Sequence, residues 1–457
     1  MKRRDFLAIG AGLAALAGVK AMAHGAPRPD DLAPGKSESR TAIQKLSDVD
    51  AFNYVLGTQT IGATYQFTSE SVLTETARAI LDMGSNTLKI TMGRDYRRMV
   101  LRPLKTAYPE TMQYLQNQGS DAKKKLRVEF PEAAIEAPPV NPDIRCLTDL
   151  ARLEPSYRQV FEMPFAHYLI WTYAFAPGWW NQGFSPENQQ KEYAEIRDFA
   201  SHLLKTYSGT GKTFYLGHWE GDWHLRPSLK VDTDTEVTPQ SIQGMTDWLN
   251  IRQKAIDDAK RETAHHDVQV WHYTEANHVT LVSMAGRPSV TNSVLPNTNV
   301  DYVSYSTYDS LGDIPKNIPP ALNFIESKLP AKPAISGKRV FIGEYGFPAR
   351  FVSEAERDRK SRQIMRIGLE WGCPFVLCWQ MYNNEFKDGQ ENGYWLIDNK
   401  GVKQPLWHTH HEFLKQARQY VIDFRAKENR VPTPEEFQRS ALNILDSLPP
   451  APSAETK

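Results

Sequence analysis

Eight short runs rich in β-branched and aromatic residues, separated by longer stretches with helical spacing, predict an α/β protein. Its parallel strands are expected to close into one (β/α)8 TIM barrel. Two further observations favour closure. No glycine-rich phosphate loop follows the first run, which speaks against an open dinucleotide-binding sheet. Two runs also end at a glutamate, Glu220 and Glu344, as expected where every strand delivers its C-terminal end to one functional rim.

Residues 54–59 read as the first strand, after a Pro/Gly/Ser-bearing leader at 24–47. Helical spacing runs over 71–83, with Gly84 as its stop, and 87–90 form the second strand. A polar, proline-interrupted insertion over 93–142 follows; loops of that length tend to be functional, and this one leaves a strand on the rim side. A helix over 147–161 leads to the third strand, 168–173. A helix over 190–207 and the turn Gly209-Thr210-Gly211 lead to the fourth, ending at Glu220. The helix 242–263 precedes the fifth strand, 268–272, with Glu275 beyond it. The sixth strand spans 300–306, and a helix over 320–328 precedes the seventh, which ends at Glu344. Residues 354–371 are helical with Gly372 as stop, 374–379 form the eighth strand, and amphipathic 407–424 is the last helix. The single domain therefore covers 48–424, and the charged, proline-bearing tail 425–457 is expected to be loosely attached.

Two carboxyls brought to one rim from separate strands are what cleavage of a glycosidic bond requires. Aromatic residues are plentiful beyond the strand ends. Trp179, Trp180, Trp219, Trp223 and Trp379 are candidate surfaces for sugar rings, with core packing as the alternative for each. His218, Asn383 and Asn384 are candidates for hydroxyl recognition, and Glu275 for a supporting or substrate-binding carboxylate. Asp222 and Glu275 rival Glu220 as the acid. Tyr308 is a candidate site residue after the sixth strand.

Formal net charge is zero with both signs interspersed, so no electrostatic footprint for nucleic acid or an anionic membrane is present. Arg94, Arg97, Arg98 and Arg102 in the insertion could face an acidic glycan, or only solvent. Cys146, Cys373 and Cys378 have no metal-ligand spacing and give no disulfide framework. A barrel metallohydrolase is disfavoured, because Thr58-Gln59-Thr60 supplies no histidine pair at the end of strand one. His408, His410 and His411 read as surface residues of the last helix. No metal or organic cofactor is expected.

On these motifs the chain resembles the clan A glycoside hydrolases, retaining enzymes on this barrel. The resemblance rests on Glu220 after strand four, on Ile342-Gly343-Glu344-Tyr345-Gly346, and on Asp301-Tyr302-Val303-Ser304 leading to Tyr308. Trp379 and the segment 393–401 extend it over nearly the whole mature chain. It implies Glu220 as acid/base, Glu344 as nucleophile, Tyr308 as the nucleophile's hydrogen-bond donor and Trp379 as a sugar platform. Its substrate would be an oligo- or polysaccharide. The chain departs from the pattern in three places. Trp219 stands where the family usually has asparagine, Lys89 is nearest to a usual arginine, and Ser306 replaces a frequent histidine. These departures leave room for a non-catalytic glycan-binding protein or pseudoenzyme on the same barrel.

The start of the chain suggests export. Arg3-Arg4-Asp5-Phe6-Leu7, a short apolar run and Ala21-Met22-Ala23 resemble a twin-arginine signal covering 1–23, implying the twin-arginine translocase as an export partner. The mature chain is expected to begin near His24, periplasmic or secreted in a bacterium and without a membrane anchor.

Overall fold

The structure, a computed structural model, describes residues 43–100, 141–175, 178–387 and 390–449. The predicted signal, most of the leader and the centre of the insertion, Arg102 included, lie outside the described residues. Eight parallel strands close into a barrel in chain order: β1 Leu56–Gln59, β2 Thr87–Met92, β3 His167–Thr172, β4 Lys212–Gly217, β5 Val268–Ala276, β6 Tyr302–Ser306, β7 Val340–Tyr345 and β8 Val376–Cys378. Closure is made by β1 on β8, with Thr58 opposite Cys378. The (β/α)8 expectation is met.

Alternation along the strands divides the core. Leu169, Trp171, Tyr215, Tyr273, Phe341, Phe375 and Leu377 fill the barrel interior as one cluster, while the intervening residues join the larger shell beneath the helices. Gly217 takes an inward position because the Tyr273 ring lies where a side chain would begin; a Cβ there would come within 2.3 Å of it. Among the described residues, no helix is long and apolar enough to cross a membrane.

Several element bounds differ from expectation for identifiable reasons. The helix expected over 147–161 is two, Leu147–Leu153 and Pro155–Glu162, because Pro155 can open a helix but not continue one. The helix expected at 320 begins at Ile314 and runs through Pro319 and Pro320. Its buried stripe Ile314, Ile318, Leu322 and Ile325 outweighs the hydrogen bonds that the prolines remove. β5 continues to Ala276, pairing Glu275 with Ser304, so Glu275 lies within the strand rather than beyond it. β4 stops at Gly217, leaving Glu220 three residues past its end, at the N-cap of a one-turn helix Gly221–Leu225.

The expectation of a loosely attached tail is corrected. After the helix Pro405–Glu428, a capping box formed by Thr433 and Glu436 starts another, Pro434–Ser447. Phe437, Ala441 and Leu445 of that helix are buried, and Phe437 meets Phe52 edge to face at 4.9 Å. Nor is His410 a surface residue. It is fully buried, its Nδ1 against the Leu406 carbonyl at 2.9 Å. His408 is exposed, and His411 stacks on Trp407.

Candidate active site

Side chains from the middle of β2 and β6 and from the C-terminal ends of β5 and β7 form a buried charge network. Lys89 Nζ donates to Glu275 Oε2 at 2.9 Å and to Glu344 Oε1 at 3.3 Å, and all three side chains are inaccessible to solvent. It also donates to the Gly343 carbonyl at 3.2 Å and stands 4.4 Å over the Trp171 ring. Such a desolvated charge persists only because each partner compensates it. Ser304 Oγ donates to Glu275 Oε2 at 2.6 Å. The Glu220 backbone N–H donates to Glu275 Oε1 at 3.0 Å. Glu275 therefore ties the loop carrying Glu220 to the lysine that faces Glu344. Glu220 itself is 1 % exposed.

How Glu344 comes to face inward is a matter of register. Strict alternation from Phe341 would send Gly343 in and Glu344 out. The β6–β7 pairing instead skips a residue: Tyr305 pairs with Ile342, and Ser306 with Glu344. This bulge at Gly343 turns the Glu344 carboxyl toward Lys89. Glycine is required at the bulge, since a Cβ would fall 1.7 Å from Ser304 Oγ. The half-buried Tyr308, in the turn after β6, donates its hydroxyl to Glu344 Oε2 at 3.3 Å. Beside it Asp309 accepts from Tyr305 OH at 2.6 Å and from the Thr280 and Leu281 N–H groups. Burial pushes the Asp309 carboxyl up to about 6.

His218 is fully buried, and burial pushes its imidazole down to about 3. Nδ1 lies 2.9 Å from the Trp219 carbonyl and Nε2 2.7 Å from Thr274 Oγ1. Facing a carbonyl, Nδ1 must carry the proton, so His218 is a neutral support for the loop. Trp219 and Trp223 join Trp379, Ile61 and Tyr394 in one buried aromatic cluster continuous with the barrel interior. Trp379 is 2 % exposed, follows β8 at a cis peptide bond to Gln380, and donates its indole N–H to Glu385 at 2.9 Å. Trp180 is buried while Trp179 is 39 % exposed, the two close together beside Trp248.

Asn383, a candidate for hydroxyl recognition, organises the loop after β8. Its carbonyl accepts from the Gly393 and Tyr394 N–H groups, and its amide donates to the Glu385 carbonyl. Asn384 likewise donates to the Ile61 carbonyl. Asp222 accepts the N–H groups of Asn277 and Val290, which makes it a brace between the loops after β4 and β5. Asp301, at the start of β6 and thus the opposite rim, accepts from the His272 backbone and is paired with Lys332.

Two supports of the site go beyond the sequence candidates: Ser304, which holds Glu275, and Tyr173, whose hydroxyl accepts the Trp219 N–H at 3.0 Å. For Ser304 a signal was present: alternation through β6 puts it on the same face as Ser306. Among the described residues, no group of His, Cys, Asp and Glu is placed to hold a metal ion.

No family model matches the chain, and no curated protein does. Among solved structures, the chain is similar to a GH5_18 protein from Bifidobacterium longum subsp. infantis, at 10 % identity and TM-score 0.46, with 79 % of each chain covered. It is also similar to a GH5_18 variant from Bifidobacterium longum subsp. longum in complex with Manb1-4GlcNAc: 12 % identity, TM-score 0.46, 79 % and 78 % covered. A third is a family 39 glycoside hydrolase from the gut symbiont Bacteroides cellulosilyticus, at 10 % identity and TM-score 0.46, with 79 % of this chain and 64 % of that one covered.

Proposed function

We propose that the chain is a retaining glycoside hydrolase in which Glu344 is the nucleophile and Glu220 the acid/base. The observation that carries this reading is the Glu344 carboxyl, buried at the C-terminal end of β7 between an ammonium and a phenol. Lys89 favours its anionic form, and Tyr308 fixes which oxygen lone pair is presented. In the first step Glu344 attacks the anomeric carbon while Glu220 delivers its proton to the departing oxygen. In the second, Glu220 takes a proton from water, which displaces Glu344 from the sugar with net retention. Lys89 and Glu275 touch neither sugar nor water in this scheme; they hold the two glutamates in register. The aromatic cluster of Trp219, Trp223 and Trp379 supports an oligo- or polysaccharide substrate. No cofactor enters either step. Export by the twin-arginine translocase is part of the proposal, and an Arg3→Lys, Arg4→Lys variant that still reaches the periplasm would refute it.

The test is hydrolysis of a panel of aryl glycosides and oligosaccharides by the purified chain, with product anomers followed by NMR. Retention is expected, with a fall in turnover of at least about a thousandfold in Glu344→Gln. Inversion overturns the nucleophile assignment. Glycan binding without turnover in the parent supports the binding-protein alternative, which Trp219 at the usual asparagine position favours.

A further inference from the structure

Two residues after Glu220, Asp222 accepts backbone N–H groups from the segment leaving β5, and this brings His278 against Trp223. The two rings meet edge to face with centroids 4.1 Å apart. His278 is 6 % exposed, yet neither ring nitrogen has a hydrogen-bond partner among the described residues. A buried imidazole with both nitrogens unused is costly, and folded proteins rarely keep one without a reason. Burial pushes this imidazole down to about 4, so near neutral pH it is uncharged and offers one donor and one acceptor. That pairing matches a hydroxyl, which is itself both.

Trp223 belongs to the aromatic cluster that contains Trp219 and Trp379. It also sits in the one-turn helix whose N-cap position is Glu220, the residue proposed as acid/base. The neighbouring formal charges balance, Arg226 and Arg287 against Asp222 and Asp234, although Arg226 Nε and Nη1 have no hydrogen-bond partner among the described residues. Arg287 pairs with Asp234 at 2.8 Å, Arg226 with Asp234 at 3.0 Å, and Asp222 holds the Val290 N–H at 2.8 Å. That balance favours an uncharged sugar over an acidic one.

The geometry points to a leaving-group subsite in which Trp223 packs against an uncharged pyranose and His278 reads one of its hydroxyls. It rests on the glycosidase reading above and adds which part of the substrate is recognised, and by what. The experiment compares a 4-nitrophenyl glycoside with a disaccharide of the same glycone, so that only the second has hydroxyls in its leaving group. His278→Phe is expected to lower the disaccharide-to-aryl ratio of kcat/KM by about ten- to a hundredfold, the scale set by losing one or two hydrogen bonds. Its thermal midpoint should not fall, because two unsatisfied polar atoms have been removed. His278→Gln, which restores a donor and an acceptor, should recover part of the ratio. An unchanged ratio in a folded, active His278→Phe protein overturns the subsite and leaves the glycosidase reading intact. A parent that neither cleaves nor binds either probe overturns both.

Discussion

Lys89→Met is the most informative single change. The ammonium lies 2.9 Å from Glu275 and 3.3 Å from Glu344, and none of the three side chains is exposed. Methionine matches the shape and removes the charge, leaving two buried carboxylates side by side. Breaking a buried ion pair in this way costs about 3–5 kcal/mol, most of it the penalty of the stranded partner. The loss is capped, because a proton shared between the carboxylates can take the place of the ammonium. The cost must therefore be largest where protons are scarce: about 3–5 kcal/mol near pH 8, shrinking as pH falls through the carboxylate range. Urea unfolding followed by tryptophan fluorescence at pH 8 and pH 5, with the slope checked for constancy, measures it. A loss below about 1 kcal/mol at pH 8, the value of an ordinary exposed pair, or a loss that does not vary with pH, refutes the network as described.

Gly343→Ala should cost about 1–3 kcal/mol by overpacking, because its Cβ would fall on Ser304 Oγ; Ser304→Ala in the same chain should recover part of it, and thermal melts decide. Phe437→Ala should cost about 3–5 kcal/mol and expose the segment near 430 to limited proteolysis; an unchanged digestion pattern would contradict the docked final helix. His410 is held at about 4 by burial, against about 6.5 unfolded, so it contributes stability above pH 6.5 that is lost as pH falls toward 4. In His410→Phe the difference in unfolding free energy from urea titrations at pH 7.5 and 4.5 should shrink, by an amount of order 3 kcal/mol at most; an undiminished difference would exclude this source.

The strands could be read because each is a short β-rich run bounded by turn residues, and Gly372 marked its helix end with a left-handed conformation that glycine adopts freely. Glu344 was legible from its strand-end position, and its tyrosine and lysine partners through the family pattern. The bulge that aims Glu344 was not, because a register shift is a property of two strands and leaves only a glycine in one of them. Glu275 was placed beyond its strand for a related reason. Tyr273 and Thr274 favour a strand but Glu275 does not, and its extended backbone is held by pairing with Ser304 of β6. The final helix was hidden behind charge: Phe437, Ala441 and Leu445 are its buried residues, with Leu442 and Ile444 packed beside them, a narrow stripe in a polar tail.

Because β1 bonds to β8, the first strand has no partner on one side until some 320 further residues have been made. Until then the growing sheet is an open, twisted ribbon with two bare margins, and the salt links Asp48–Arg425 and Asp50–Arg418 can form only once the helix Pro405–Glu428 has been made. Long sequence separation slows assembly, and unsatisfied margins invite pairing with strangers. Low temperature during expression, or a holdase acting on the nascent ribbon, should therefore raise yield more than any change at the C-terminal rim.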